Sequence, residues 1–217
     1  MDAVDRFRAA VTAWAAGGAE ASAAEAEARR SAPGIRRAVL VEGRSDRAAV
    51  EALAARRGRD LAAEGVAVVP LGGAMSIGHF LDVCGPPGLD LPLAGLCDLA
   101  EEGYFRRHLE RVGLGPVPED GGLAALGFHV CAADLEDELI RALGPHAVTE
   151  VIGELGEARP FRTFRGQPAQ RDRPVERQLR RFFGTHSGRK ELYAGALVAR
   201  LGPTDVPRPL ARLMAAL

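Results

Sequence analysis

Glu42 and Asp98 are the residues in this chain best placed to do chemistry. Glu42 closes the run A-V-L-V-E-G, and Asp98 closes L-P-L-A-G-L-C-D. Each is followed four residues later by a second acid, Asp46 and Glu102. An apolar run bounded by glycine reads as a buried parallel strand. The carboxyl edge of such a sheet is where open α/β folds bind ligands. A carboxylate held there among apolar neighbours is costly unless a cation or a donor meets it. Oxygen-only donors suit hard divalent cations, Mg2+ or Mn2+. A competing reading makes each pair a helix-start device, because acids near a helix N-terminus interact well with its dipole. That accounts for Asp46 but leaves Glu42, at the strand end, unexplained. A third acidic run, Asp134 to Glu138, opens with a candidate N-cap in Asp134 and puts Glu136 in the first helical turn at the same edge. Glu136 is preferred to Glu138 as a further ligand, with a solvated helix face as the alternative.

These acids need a scaffold that brings strand ends together, and the pattern supplies one. Strands are predicted at 38–42, 66–71, 93–98 and 127–132, alternating with helices at 46–57, 77–84, 101–112 and 134–143. Alternation of that kind implies a parallel sheet flanked by helices. Gly85-Pro86-Pro87-Gly88 and the stretch from Gly113 to Gly122 read as connectors. Val4, Phe7, Val11 and Trp14 fall at helical spacing, and an Ala/Glu-rich stretch follows the Gly17-Gly18 break. Whether these helices pack on the sheet or on a second copy of the chain, as a homodimer, the sequence leaves open. After Gly144-Pro145 the pattern is helical, at 146–155, 174–183, 188–201 and 207–217. The expected division is an N-terminal helical segment (1–34), an α/β core (35–143) and a C-terminal helical extension (144–217).

The net charge of −1 names no partner, but its distribution is uneven. Between Arg159 and Lys190, ten basic residues face only Asp172 and Glu176, so this stretch carries +8 and the remainder −9. Such polarity suggests an anionic ligand on one side and cations on the other. Cys84, Cys97 and Cys131 lie in apolar stretches without C-x-x-C spacing, as buried free thiols of a reducing compartment do. The opening residues lack the basic start and apolar run of a signal peptide, and no segment has membrane-spanning length. The expected location is cytoplasmic, with no membrane partner.

Glu42-Gly43 after a first strand and the acids at Asp98 after a third resemble the TOPRIM domain of topoisomerases, primases and several nucleases. Asp46, Glu102, the acidic run from Asp134 to Leu139 and the chain's single lysine, Lys190, are similar to the TOPRIM half of OLD-family (overcoming lysogenization defect) endonucleases. The resemblance spans roughly Arg36 to Leu201. Two features depart from it: Ala100 stands where many TOPRIM domains carry a further acid, and no G-x-x-x-x-G-K-[ST] loop of an ATPase is present. The resemblance implies a TOPRIM-like (Rossmann-like) α/β fold and a Mg2+- or Mn2+-dependent endonuclease using two ions on DNA. Glu42, Asp46, Asp98 and Glu102 would serve the first ion, Glu136 the second, and Lys190 the scissile phosphate. Arg159, Arg162, Arg165, Arg180, Arg181 and Arg189 would hold the phosphate backbone. A separate ATPase subunit is a partner the resemblance admits. The alternative is a catalytically silent TOPRIM module that binds nucleic acid or such an ATPase.

Other signals are weaker. Leu71-Gly72-Gly73 permits close approach of a phosphate, and an ordinary strand-to-helix turn explains it equally well. The five histidines show no ligand spacing, and His186 reads as a surface residue. Phe161, Phe164, Phe182, Phe183 and Tyr193 interleave with the arginines, which suits base stacking or anchoring of the C-terminal helices. A signalling receiver domain also sets acids at strand ends, but its lysine ends a strand, whereas Lys190 lies in a helical pattern.

Overall fold

The computed structural model describes residues 2–118 and 122–217; positions 119–121 of the glycine-rich connector lie outside the described residues. Four parallel strands, β1 (Arg37–Val41), β2 (Val66–Pro70), β3 (Leu93–Asp98) and β4 (Phe128–Cys131), form one sheet in the order β2-β1-β3-β4. All four lie where the apolar runs predict them. Strands β1 and β3 are adjacent, with Val39 opposite Ala94, so Glu42 and Asp98 emerge side by side. Gly95 makes this pairing tight: a Cβ there would fall 2.4 Å from the Leu40 carbonyl oxygen and 2.6 Å from the Phe128 ring.

The helices are α1 (Ala3–Ala16), α2 (Ala21–Ser31), α3 (Arg44–Arg56), α4 (Ile77–Cys84), α5 (Glu102–Arg111), α6 (Leu135–Glu154), α7 (Ala158–Arg165), α8 (Pro168–Arg171), α9 (Val175–Phe183), α10 (Arg189–Arg200) and α11 (Arg208–Ala216). Two predicted helices, 134–143 and 146–155, run together as α6. The break between them survives as a kink, where Gly144 takes φ 77° ahead of Pro145. The short helices α7 and α8 lie outside the predicted ones; in α7 the apolar face is only Phe161 and Phe164, set among Arg159, Arg162 and Arg165.

Both faces of the sheet are buried, which is why the strands read as continuous apolar runs. Along β1, Ala38 and Leu40 face α1, α2, α4 and α5, while Val39 and Val41 face α3, α6, α7 and α9–α11. The N-terminal helices therefore pack on the sheet, with Val4, Phe7 and Val11 buried. On the other face α10 lies along α3, the most extensive helix pair there. Arg56 donates to the carbonyls of Val198 (2.5 Å) and Leu201 (2.7 Å), which pins the two C-terminal ends together. At the opposite ends Arg44 Nε lies 3.5 Å from Glu191 Oε2. The parallel run of α3 and α10 thus brings the start of α10, with Lys190, to the sheet edge where Glu42 ends its strand. Each buried valine or leucine of that seam, Val50, Leu53, Leu197 and Val198, contributes roughly 1.5–3 kcal/mol, so Lys190 is placed by core packing.

Candidate metal centre

Parallel strands deliver their C-terminal residues to one edge, and the acids gather there. Glu42, Asp46, Asp98, Asp134 and Glu136 line one cleft of about 550 Å³ together with Arg180, Ser187, Gly188 and Lys190. Gly72 and Gly73, at φ +74° and +127°, also line it. The Gly73 amide donates to the Glu42 carbonyl oxygen at 3.1 Å and closes the turn after β2.

Glu42, Asp98 and Glu101 each bring a carboxylate oxygen within 4.8 Å of the others. The third member is Glu101, where the spacing pointed to Glu102. The chain leaves β3 through a single 3-10 turn, Leu99–Glu101, before α5 begins. At three residues per turn, position i+3 rather than i+4 returns over the strand end. Glu102 instead lies 3.4 Å from Arg106 and lines a separate cavity with Phe128, His129, Arg208 and Arg212. The doubled acid Glu101-Glu102 already offers Glu101 as a redundant candidate in the sequence, and the geometry chooses it.

Asp46 Oδ2 accepts from the Gly43 amide at 2.7 Å, so the helix-start role and a place in the cleft coincide. Asp134 caps α6, accepting from the Asp137 amide at 2.7 Å, and pairs through Oδ2 with Arg180. Glu136 is buried in the cleft wall, while Glu138 turns away to accept from the Ala132 amide at 2.9 Å. Lys190 Nζ lies 3.3 Å from Glu136 Oε1, an ion pair without hydrogen-bond alignment.

Crowding of like charge shows in the acidities. Burial, then the neighbouring Glu42, pushes the Asp98 carboxyl up to about 8. Burial, then Glu136, pushes Asp46 up to about 7 against the opposing Gly43 hydrogen bond. Glu42 is also raised, by burial and then Glu101. Glu101 Oε2 and Glu136 Oε1 are buried without a hydrogen-bond partner. Orphaned carboxylate oxygens facing an all-oxygen donor set fit a hard divalent cation.

The arginines divide. Arg159, Arg162 and Arg181 are exposed and have no ion-pair partner among the described residues. Arg165 donates to Gln178 Oε1 at 2.8 Å, and Arg180 is held by Asp134. Arg189 departs from expectation most: it is buried, pairs with Glu157 at 2.8 Å, and lies over the Phe182 ring at 4.3 Å. It holds the fold rather than presenting a charge to solvent. The aromatics behave likewise, with Phe161, Phe164, Phe182, Phe183 and Tyr193 all buried and the rings of Phe183 and Tyr193 stacked at 4.4 Å.

A family model, the overcoming lysogenization defect protein-like TOPRIM domain, matches residues 35–99, from the start of β1 to just past Asp98. Residues 35–99 are thus similar to an OLD-like TOPRIM domain. Solved structures extend the likeness over the fold. The C-terminal region of the Burkholderia pseudomallei OLD protein superposes with a TM-score of 0.60 at 21% identity, over 84% of this chain and 96% of that one. One structure of the C-terminal region of the Xanthomonas campestris pv. campestris OLD protein gives a TM-score of 0.64 at 23% identity, over 83% of this chain and 91% of that one. A second gives 0.59 at 26%, over 84% and 95%. No curated protein matches. The likeness of fold thus extends over the flanking helices, well beyond the matched segment. No helix among the described residues is long and apolar enough to cross a membrane.

Proposed function

We propose that this chain hydrolyses phosphodiester bonds in DNA with the aid of Mg2+ or Mn2+, in the manner of a two-ion nuclease. The observation that carries the reading is the convergence of Glu42, Asp98 and Glu101 within 4.8 Å at the sheet edge, in the neighbourhood of a cleft that also holds Lys190. Glu42, Asp98 and Glu101, with Asp46, would hold one ion, and Glu136 would help hold a second. Bound ions supply Lewis acidity to phosphoryl oxygens and lower the pKa of water at neutral pH. The chain's own residues do the rest. Lys190, half exposed beside Glu136, offers a point charge to the scissile phosphate. Exposed Arg162 and Arg181 neutralise backbone phosphates without reading sequence. Buried free Cys84, Cys97 and Cys131 suit a reducing cytoplasm, and a separate ATPase subunit would supply recruitment to DNA.

One observation favours a second reading. Ala100 stands where a further acid is expected, and Lys190 already pairs with Glu136, as in a silent module that binds nucleic acid or an ATPase. Cleavage of supercoiled plasmid with Mn2+, lost in Glu42→Gln, supports the nuclease. Binding without cleavage, alone and with an ATPase partner, establishes the silent module.

A further inference from the structure

A second cavity, of about 340 Å³, lies next to the acidic cleft. Its walls come from α7 (Arg159, Pro160, Thr163, Phe164), from Gln167 and Phe182, and from Thr185, His186 and Arg189. The two hollows share one partition. Ser187, Gly188 and Lys190 line the cleft, while Thr185, His186 and Arg189 line the cavity. One segment, residues 185–190, therefore serves both hollows.

The chemistry of the cavity is mixed in a particular way. Pro160, Phe164 and Phe182 give apolar walls, while Thr163, Gln167 and His186 bring a hydroxyl, an amide and an imidazole to the exposed rim. Arg189 is neutralised by Glu157, so the uncompensated charge at the mouth is Arg159. Small hollows with apolar walls, a few hydrogen-bonding groups and one free cation take flat heteroaromatic ligands that carry a negative charge. Building on the proposed phosphodiesterase, we propose that this cavity receives one unpaired base of a nucleic-acid strand whose neighbouring phosphates lie in the acidic cleft. Pro160, Phe164 and Phe182 enclose the base, Thr163, Gln167 and His186 meet its edge, and Arg159 meets its phosphate. A base within a duplex stack cannot enter such a hollow, so the substrate class is a strand with single-stranded or extrudable nucleotides.

The test is equilibrium binding of the full chain in EDTA, which stops cleavage. The probes are a short single-stranded DNA carrying 2-aminopurine and a blunt duplex of the same sequence. Thr163 is exposed, so Thr163→Trp fills the cavity mouth with little effect on folding. It should weaken single-strand binding about tenfold, the effect of losing one stacked base, and abolish the 2-aminopurine response while leaving duplex affinity unchanged. Arg159→Ala should weaken the single strand about threefold and shallow its salt slope by about 0.7, with Arg159→Lys restoring most of both. Equal single-strand affinity for the parent and Thr163→Trp overturns the base site, and Mn2+-dependent cleavage by the same variant then leaves the nuclease reading standing. Failure of the parent to bind the single-stranded probe also overturns the base site, and Mn2+-dependent plasmid cleavage decides the nuclease reading separately.

Discussion

The acidic cleft and the basic helices beside it handle charge differently. In the cleft, Glu42, Asp98 and Glu101 crowd carboxylates within 4.8 Å, and Glu101 Oε2 has no hydrogen bond. In the helices, Arg189 has Glu157 and Phe182, Arg180 has Asp134, and Arg165 has Gln178. Crowded like charge costs stability, and a fold keeps it where the compensation comes from outside. Paired charge is compensated within the chain and belongs to its architecture. Composition suggested a basic stretch whose arginines face an anionic ligand together. The structure reduces it to a few free arginines, Arg159, Arg162 and Arg181 among them, around a scaffold of spent ones.

If the cleft is functional and the pairs are structural, removing a charge from each should affect different measurements. The largest effect falls on cleavage. Glu42→Gln should lower Mn2+-dependent plasmid cleavage by at least about 10²-fold, as should Lys190→Met, the scale of losing one electrostatic stabiliser. DNA affinity and secondary structure should stay near those of the parent, as for a group that acts in the transition state alone. Lys190→Arg should rescue only partly, because a guanidinium is planar and differently hydrated. Lys190→Met cutting at the parent rate would remove Lys190 from the chemistry and place it, with Glu136, among the structural pairs.

Arg189→Ala should act on stability instead. It strands Glu157, which also accepts from Tyr193 at 2.7 Å, and uncovers the Phe182 ring. The pair is buried on the Arg189 side only, so its loss costs less than the roughly 3–5 kcal/mol of a fully buried pair, and thermal unfolding should fall by several degrees. A variant with the parent's melting temperature but weakened DNA binding would return Arg189 to the nucleic-acid surface.

The division shows which parts of the site were legible in sequence. All four strands, and therefore the edge where Glu42, Asp98 and Glu136 meet, follow from apolar runs that end in an acid or a turn. The join after β3 does not, because E-E at positions 101 and 102 is compatible with either helical period and only the 3-10 turn selects Glu101. The pairing of Arg189 was hidden for another reason. Its partner Glu157 is 32 residues away, in a helix start that carries no periodic signal. Short-range patterns report which residues share an element, whereas a buried ion pair depends on how elements dock.

Without metal, the cleft should also set the pH dependence of stability. Asp46 and Asp98 hold protons in the folded chain up to about 7 and about 8, far above an unfolded aspartate. Between pH about 4 and 8 the folded state therefore binds more protons than the unfolded one, and stability falls as pH rises through that window. In EDTA the melting temperature should be a few degrees lower at pH 8.5 than at pH 5.5. Asp98→Asn should flatten the decline, and Mn2+ should reverse it by binding the folded state alone. A melting temperature that rises over this range in EDTA would mean the acids are already compensated.

The smallest expected effect is the sharpest probe of where the cleft ends. Glu101 and Glu102 are adjacent and chemically identical, yet one faces Asp98 and the other Arg106. Glu101→Gln should lose a large part of the Mn2+-induced rise in melting temperature, because it removes one of three converging oxygens. Glu102→Gln gives up only a half-buried i,i+4 helical ion pair, worth about 0.3–0.5 kcal/mol, and should leave both the metal response and cleavage within error of the parent. If Glu102→Gln abolishes the response and Glu101→Gln does not, α5 begins one residue earlier when the site is loaded. The 3-10 turn after β3 would then be a state of the metal-free chain rather than a fixed part of the fold.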